Sequence, residues 1–423
     1  MPFKGSLQIA LDSIGQDSEA ILQDLSQMLE VDTCFPPGAG YPAFADLMES
    51  LLAPMGFSFE RAIVPEALWQ TPDDSAQGER VNLIASLDGG AGEACNLYFH
   101  VDTVPAGDGW THPPLALTQV DNKLIGRGSA DMKGTIVATL AAIRAAQRTG
   151  LALRFNPVLL LCTDEEGGLY PGVRYLAEQK LFAGHMLSFN GGAVPRIWGG
   201  CFGSIDLKIS VTGRSAHSGD PVGGINAIEQ GLPLLNALHA LKRQVEQRES
   251  AMPSPPHYEG RPLTSRLTLA AVQGGSKGST IPARFDLLVN RRYSPEEPFE
   301  QVWSELTHCI EQAMAGSAAL AVEYHLIGHL APVSDPSGPH WPRWLSALSQ
   351  GFGFDANDFA VWGSSTSSDM GWVQQAGIKE ILLGGLARPE NRIHASDEYT
   401  TMQDIVALAQ SILAYLSADF QPE

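Results

Sequence analysis

Pro157-Val158-Leu159-Leu160-Leu161-Cys162-Thr163-Asp164-Glu165-Glu166-Gly167-Gly168 joins an unbroken apolar run to three consecutive carboxylates. A short run that is apolar at every position reads as a strand covered on both faces, the pattern of a parallel sheet between helices. Carboxylates placed straight after such a strand are costly unless something positive neutralises them. A divalent cation is one such group. A solvated acidic turn is the alternative.

Working outward, Val81–Leu87, Leu97–Val101 and Ile381–Leu383 read as further strands. Residues 17–30, with Ile21, Leu22, Leu25, Met28 and Leu29 on one face, read as an amphipathic helix, and residues 41–52 as a second. Ile136, Leu140 and Ile143 recur at helical spacing and predict a helix over 133–148. Strands alternating with helices imply an α/β sheet.

The middle of the chain reads differently. Ser204–Thr212 alternates with period two, and a helix is expected over 224–247. Strands near 264–272 and 284–291, a helix over 298–315 and a strand near 319–326 follow. That order resembles a split βαβ sandwich, an α+β unit inserted into the α/β fold. The Pro-rich stretch 252–262 is read as an internal loop. The expected domains are 1–203 plus 327–423 for the larger part and 204–326 for the insertion.

With 423 residues the chain is long enough for two domains. Its net charge of −20, spread without a tail, disfavours nucleic acid and anionic membrane surfaces. Cys34, Cys95, Cys162, Cys201 and Cys309 are scattered and odd in number, so neither a disulfide framework nor a cysteine metal site is indicated. The first twenty residues lack a long apolar run, and no stretch approaches a membrane span. The cytoplasm is the expected compartment.

Three further clusters carry potential chemistry. His100-Val101-Asp102 ends an apolar strand, where side chains project beyond the sheet's carboxyl edge. A ligating imidazole needs its other nitrogen fixed, and Asp102 is placed to do it. Gly126-Arg127-Gly128-Ser129-Ala130-Asp131-Met132-Lys133-Gly134 leads into a helix, so Asp131 reads either as a helix cap or as a metal-bridging carboxylate. Arg392-Ile393-His394-Ala395-Ser396-Asp397-Glu398 supplies a second imidazole from the far end of the chain.

In order and spacing, these four clusters resemble the zinc exopeptidase and aminoacylase family, which includes acetylornithine deacetylase, succinyl-diaminopimelate desuccinylase and bacterial glutamate carboxypeptidase. The resemblance runs from about residue 20 to 415 and implies a zinc-peptidase (phosphorylase/hydrolase-like) α/β catalytic domain. It also implies an inserted ferredoxin-like lid and dimerisation domain, and hence a homodimer or larger homo-oligomer. Carried over by position, His100 and His394 each hold a metal, Asp131 bridges, Glu166 is a terminal ligand, Glu165 is the general base and Asp102 supports His100. In the lid, His217 would stabilise an oxyanion and Arg292 would grip a substrate carboxylate. Asn190 stands where the family usually has a fifth, carboxylate ligand, and Ser279 where it has a substrate-contacting Asn. A neutral amide is a poorer ligand, so one metal position is expected to be weak.

The resemblance implies one or two divalent transition ions (Zn, Mn or Co) and a small substrate bearing a carboxylate. Three activities are compatible with it. The first is hydrolysis of an N-acyl amino acid or small peptide. The second is release of ammonia from an aromatic amine such as 5-nitroanthranilate, the reaction of nitroanthranilate aminohydrolase, a relative. The third is binding without catalysis.

Overall fold

The computed structural model describes residues 5–71, 75–90 and 92–421. The chain divides into two compact units, Met1–Trp198 with Asp335–Val361 and Trp372–Glu423, and Gly199–Ser334 with Trp362–Gly371. The sequence reading assigned 362–371 to the larger part. In the structure this segment belongs with the smaller unit, where Arg292 Nη1 donates to Ser367 Oγ at 2.6 Å.

The larger unit is built on a six-stranded sheet in the order Ser58–Val64, Arg80–Ser86, Asn156–Cys162, Ala94–His100, His185–Ser188, Ile381–Leu383. The last four strands are mutually parallel, and Arg80–Ser86 runs antiparallel to both of its neighbours. Leu159, Leu160, Leu161 and Cys162 are all buried, as are Leu97, Tyr98 and Phe99 beside them. That explains the lack of alternation: there is no solvent face to make polar. His100 pairs in register with Cys162, so both strands release their chains at one level.

Helix Lys133–Thr149 is buried along nearly its whole length, with Ile136, Val137, Leu140, Ala141 and Ile143 inside. Its small alanines let the neighbouring helix Met402–Leu416 pack closely. The helix ends where Gly150 takes a left-handed conformation (φ 66°), the usual stop for a helix. Helices Ser6–Ile14, Gly172–Glu178, Trp341–Phe352 and Met402–Leu416 were not read from the sequence.

In the smaller unit, four antiparallel strands lie in the order Arg266–Gly274, Arg284–Tyr293, Gly203–Thr212, Ala321–Leu330. Ile205, Leu207, Ile209 and Val211 face a core shared with Leu234, Leu238, Leu306 and Ile310 of helices Ala227–Val245 and Phe299–Met314. Asn226 caps the first of these helices, its Oδ1 accepting from the Ile228 and Glu229 amides.

Candidate metal centre

The parallel strands deliver their loops to one edge, and the charged clusters meet there. Glu165 and Glu166 follow the strand Asn156–Cys162, Asp102 follows Ala94–His100, and Asn190 follows His185–Ser188. His394 arrives on the loop after Ile381–Leu383 and has φ 64°, a left-handed conformation uncommon for a side chain other than glycine.

Asp131 is central. Its Oδ1 lies 3.0 Å from His100 Nε2 and its Oδ2 lies 3.4 Å from His394 Nε2. His394 Nε2 is also 3.0 Å from Glu166 Oε1. Ligand atoms of Asp131, Glu166 and His394 lie within 4.8 Å of one another, and so do those of His100, Glu165 and Glu166. Asn190 meets the cluster through Glu165, donating from Nδ2 to Oε1 at 2.9 Å.

Asp102 supports His100 differently from the expectation. His100 Nδ1 lies 3.0 Å from the Asp102 backbone carbonyl and 3.7 Å from the carboxylate. A carbonyl only accepts, so Nδ1 carries a proton, and toward the carboxylate of Asp131 Nε2 is a donor as well. The Asp102 carboxylate instead accepts the Glu166 amide at 2.8 Å and so fixes the acidic loop.

The acidic triplet is also neutralised in a way the sequence did not suggest. Asp164 is buried and pairs with Arg80, Nε to Oδ2 at 2.8 Å, while the Tyr41 hydroxyl donates to its other oxygen at 2.7 Å. Arg80 stacks over Trp69, 4.0 Å from the ring centroid. One carboxylate of the three is thus spent on structure, and two face the cluster. Burial pushes the Asp164 carboxyl up to about 6 against the pull of Arg80.

Asp131 is held from behind by Glu398. Strand Tyr399–Thr401 pairs with Lys123–Ile125, bringing Glu398 beside the Gly-rich loop. Glu398 Oε1 accepts the Ala130 and Asp131 amides at 3.0 and 3.1 Å, and its Oε2 pairs with Arg127 at 2.5 Å. Gly128 turns this loop with φ 85°, and a Cβ there would come 2.8 Å from Thr103 Cγ2. Arg127 and Glu398 both stand inside quoted clusters, yet nothing local marks them as partners.

The electrostatics follow from crowding. Hydrogen bonds to Asp131 and then Glu166 push the His394 imidazole up to about 10. Burial would lower His100, but the hydrogen bond and charge of Asp131 outweigh it and raise it well above the ordinary value. Burial would raise Asp131, yet the hydrogen bonds from the two imidazoles hold it below the carboxylate range. Burial and the Asp131 charge raise Glu166. The cluster therefore binds protons avidly, as an acidic site does when no other cation balances it.

His217, Ser279 and Arg292 lie in the smaller unit. His217 Nδ1 accepts the Gly219 amide at 3.0 Å, and the Ser279 carbonyl accepts the Ser218 amide at 3.0 Å. Arg292 also donates from Nε to Asn290 Oδ1 at 3.1 Å.

The model of peptidase family M20/M25/M40 matches residues 96–418. The chain belongs to that family. Among relatives of this M20 chain, succinyl-diaminopimelate desuccinylase of Rhodospirillum rubrum is 32% identical over 59% of this chain. Acetylornithine deacetylase of Salmonella arizonae is 31% identical over 59%. The chain spans 64% and 60% of the length of those two proteins. The dipeptidase Dug1p from Saccharomyces cerevisiae has a similar fold, with a TM-score of 0.79 at 17% identity over 97% of each chain.

Proposed function

We propose that this M20 chain is a metal-dependent hydrolase that cleaves the amide of an N-acyl amino acid or small peptide with a free carboxylate. The observation that carries the reading is Asp131, whose two oxygens each face a different imidazole. A carboxylate so placed is suited to bridging two cations. Two imidazoles and three carboxylates form a donor set that fits divalent transition ions.

His100 and Asp131 would hold one ion, and Asp131, Glu166 and His394 the other. When bound, such ions polarise a carbonyl and bring the pKa of water toward about 7. Everything else falls to the chain's own groups. Glu165 takes the proton of the attacking water and passes it to the leaving amine. Asn190, hydrogen-bonded to Glu165, orients that carboxylate. Asp102 and Glu398 position the loops that carry Glu166 and Asp131. From the smaller unit, we assign oxyanion stabilisation to His217 and substrate contacts to Ser279 and Arg292. Arg292→Ala is then expected to raise KM with little change in kcat.

The names of the two bacterial relatives support an acylated amino acid as substrate. The amide of Asn190, in place of a carboxylate, favours a second reading in which ammonia leaves an electron-poor aromatic amine. The test supplies Mn²⁺, Zn²⁺ or Co²⁺ and compares acetyl and succinyl amino acids, dipeptides and 5-nitroanthranilate. Release of an amino acid from the acyl compounds or dipeptides sustains the first reading. Ammonia from the aromatic amine alone replaces it with the second, and turnover of none with each metal overturns both.

Five cysteines without disulfides support a reducing, cytoplasmic compartment. Among the described residues, no helix is long and apolar enough to cross a membrane. We infer a homo-oligomer formed through the smaller unit. Sedimentation at working concentration tests it, and a monomer there removes it.

A further inference from the structure

The strand Ala94–His100 has a second imidazole–carboxylate cluster at its opposite end. Glu93 immediately precedes the strand, and His185 opens the neighbouring parallel strand, paired in register with Cys95. His340 caps the start of helix Trp341–Phe352. Glu93 and His100 are seven residues apart, about 23 Å along an extended strand. The two clusters are therefore separate sites within one unit.

The three side chains converge on one point. Glu93 Oε1 lies 3.3 Å from His185 Nδ1 and 3.2 Å from His340 Nε2. One ligand atom from each residue falls within 4.8 Å of the others. A charge-assisted hydrogen bond would be shorter, about 2.7–2.9 Å. Ligands of a tetrahedral Zn²⁺ at about 2.0–2.1 Å stand about 3.3–3.4 Å from one another. The two separations from Glu93 Oε1 match the edges of such a tetrahedron.

A second observation is independent of the spacing. His185 is only 5% exposed, and its Nδ1 has no hydrogen-bond partner among the described residues. A buried polar atom left in this state is costly unless something completes it. Burial, and secondarily His340, pushes the His185 imidazole down to about 3, so the ring is neutral and one of its nitrogens carries a lone pair.

Both rings are oriented from outside, as metal-bound imidazoles are. His340 Nδ1 donates to Glu380 Oε2 at 2.7 Å, which fixes the ring with its Nε2 facing Glu93. Glu380 also accepts the His340 amide at 2.7 Å. His185 Nε2 lies 2.7 Å from the Tyr415 hydroxyl, and an ion at Nδ1 selects the tautomer whose Nε2–H donates to that oxygen. The rings stack with centroids 3.9 Å apart and 12° between planes, so their nitrogens present side by side. Glu93, half exposed, opens the site to solvent and gives an ion its way in.

We propose that Glu93, His185 and His340 form a second metal site that takes one Zn²⁺-class ion, with water completing the tetrahedron. The ion would tie three segments distant in the chain at the amino-terminal edge of the sheet.

The test uses the full chain with the first cluster disabled by His100→Ala, Asp131→Ala and His394→Ala together, dialysed against Zn²⁺ and analysed for bound metal. One tightly held Zn²⁺ per chain is expected in that background. Glu93→Gln, at a half-exposed position that leaves the fold alone, and His340→Gln should each abolish stoichiometric binding. Glu380→Gln, which acts only through His340, should weaken binding about 10–100-fold. Wild-type protein should hold one ion more than its own Glu93→Gln variant, a comparison that stands even if the triple variant folds poorly. Equal metal content in those two proteins, or one Zn²⁺ per chain still held when Glu93→Gln and His340→Gln are added to the triple variant, would overturn the site.

Discussion

The two ends of the strand Ala94–His100 use the same residue types, yet one holds its imidazole charged and the other holds one neutral. At the carboxyl end, Asp131, Glu165 and Glu166 crowd two imidazoles, and His394 is pushed up to about 10 by its hydrogen bonds to Asp131 and Glu166. At the amino end, His340 lies between Glu380 and the half-exposed Glu93, while His185 faces Glu93 alone, and burial drives His185 down to about 3. An imidazole in this fold is charged or neutral according to how many carboxylates surround it and how much water they keep. The first end holds protons until a metal displaces them, whereas the second offers a bare lone pair.

The sharpest way to break this contrast is at the first end. Glu165→Gln keeps shape and hydrogen-bonding capacity but removes the base. Turnover is expected to fall about 10²–10⁴-fold with bound metal nearly unchanged. Activity within a few-fold of wild type would remove Glu165 from that role.

The next effect is on stability. Arg80→Met leaves Asp164 buried without its cation, and denaturant unfolding should show a loss of about 3–5 kcal/mol. Adding Asp164→Asn should recover part of it, because the penalty is the stranded charge. Simple additivity of the two substitutions would mean that the pair does not carry the acidic loop.

The second end makes a smaller and pH-dependent prediction. The folded pKa of His185 lies below its unfolded value, so between about pH 6.5 and 3 the unfolded chain binds more protons there. Stability is unaffected by this group above that window and is lost as pH falls through it. For metal-free protein the difference between wild type and His185→Gln should change by about 1–2 kcal/mol from pH 7 to 5. A constant difference would mean that the ring is not held neutral.

The smallest signal is in protons. Zn²⁺ entering the first cluster at pH 8 should release roughly one proton or more, read by calorimetry in buffers of different ionisation heat. At the second cluster His185 has none to give. Equal release from the two sites would erase the contrast.

How much of this could be read from sequence depends on whether a residue's partners are local. The strand Asn156–Cys162 declared itself through an apolar run closed by charges, and His100, Asp131, Glu165, Glu166 and His394 each stand in a short motif. The alternation of Ser204–Thr212 marked the smaller sheet. The pairing of Arg80 with Asp164 and the hold of Glu398 on Asp131 have no local sign, because each partner is supplied by a distant strand or loop. Glu93, His185 and His340 are more scattered still, and none stands in a motif with another. Helix Met402–Leu416 carries a local signal, with Ile405, Leu408 and Ile412 at helical spacing.

The loop from Arg392 to Glu398 carries two jobs on seven residues. His394 offers an imidazole to the cluster, and Glu398, four positions on, fastens the backbone from which Asp131 reaches both histidines. If this loop swings away, one ligand departs and the bridging group loses its anchor in the same motion. Whatever loosens this loop should therefore act as an unlatching, releasing the His394 imidazole and the Asp131 carboxylate from the cluster together.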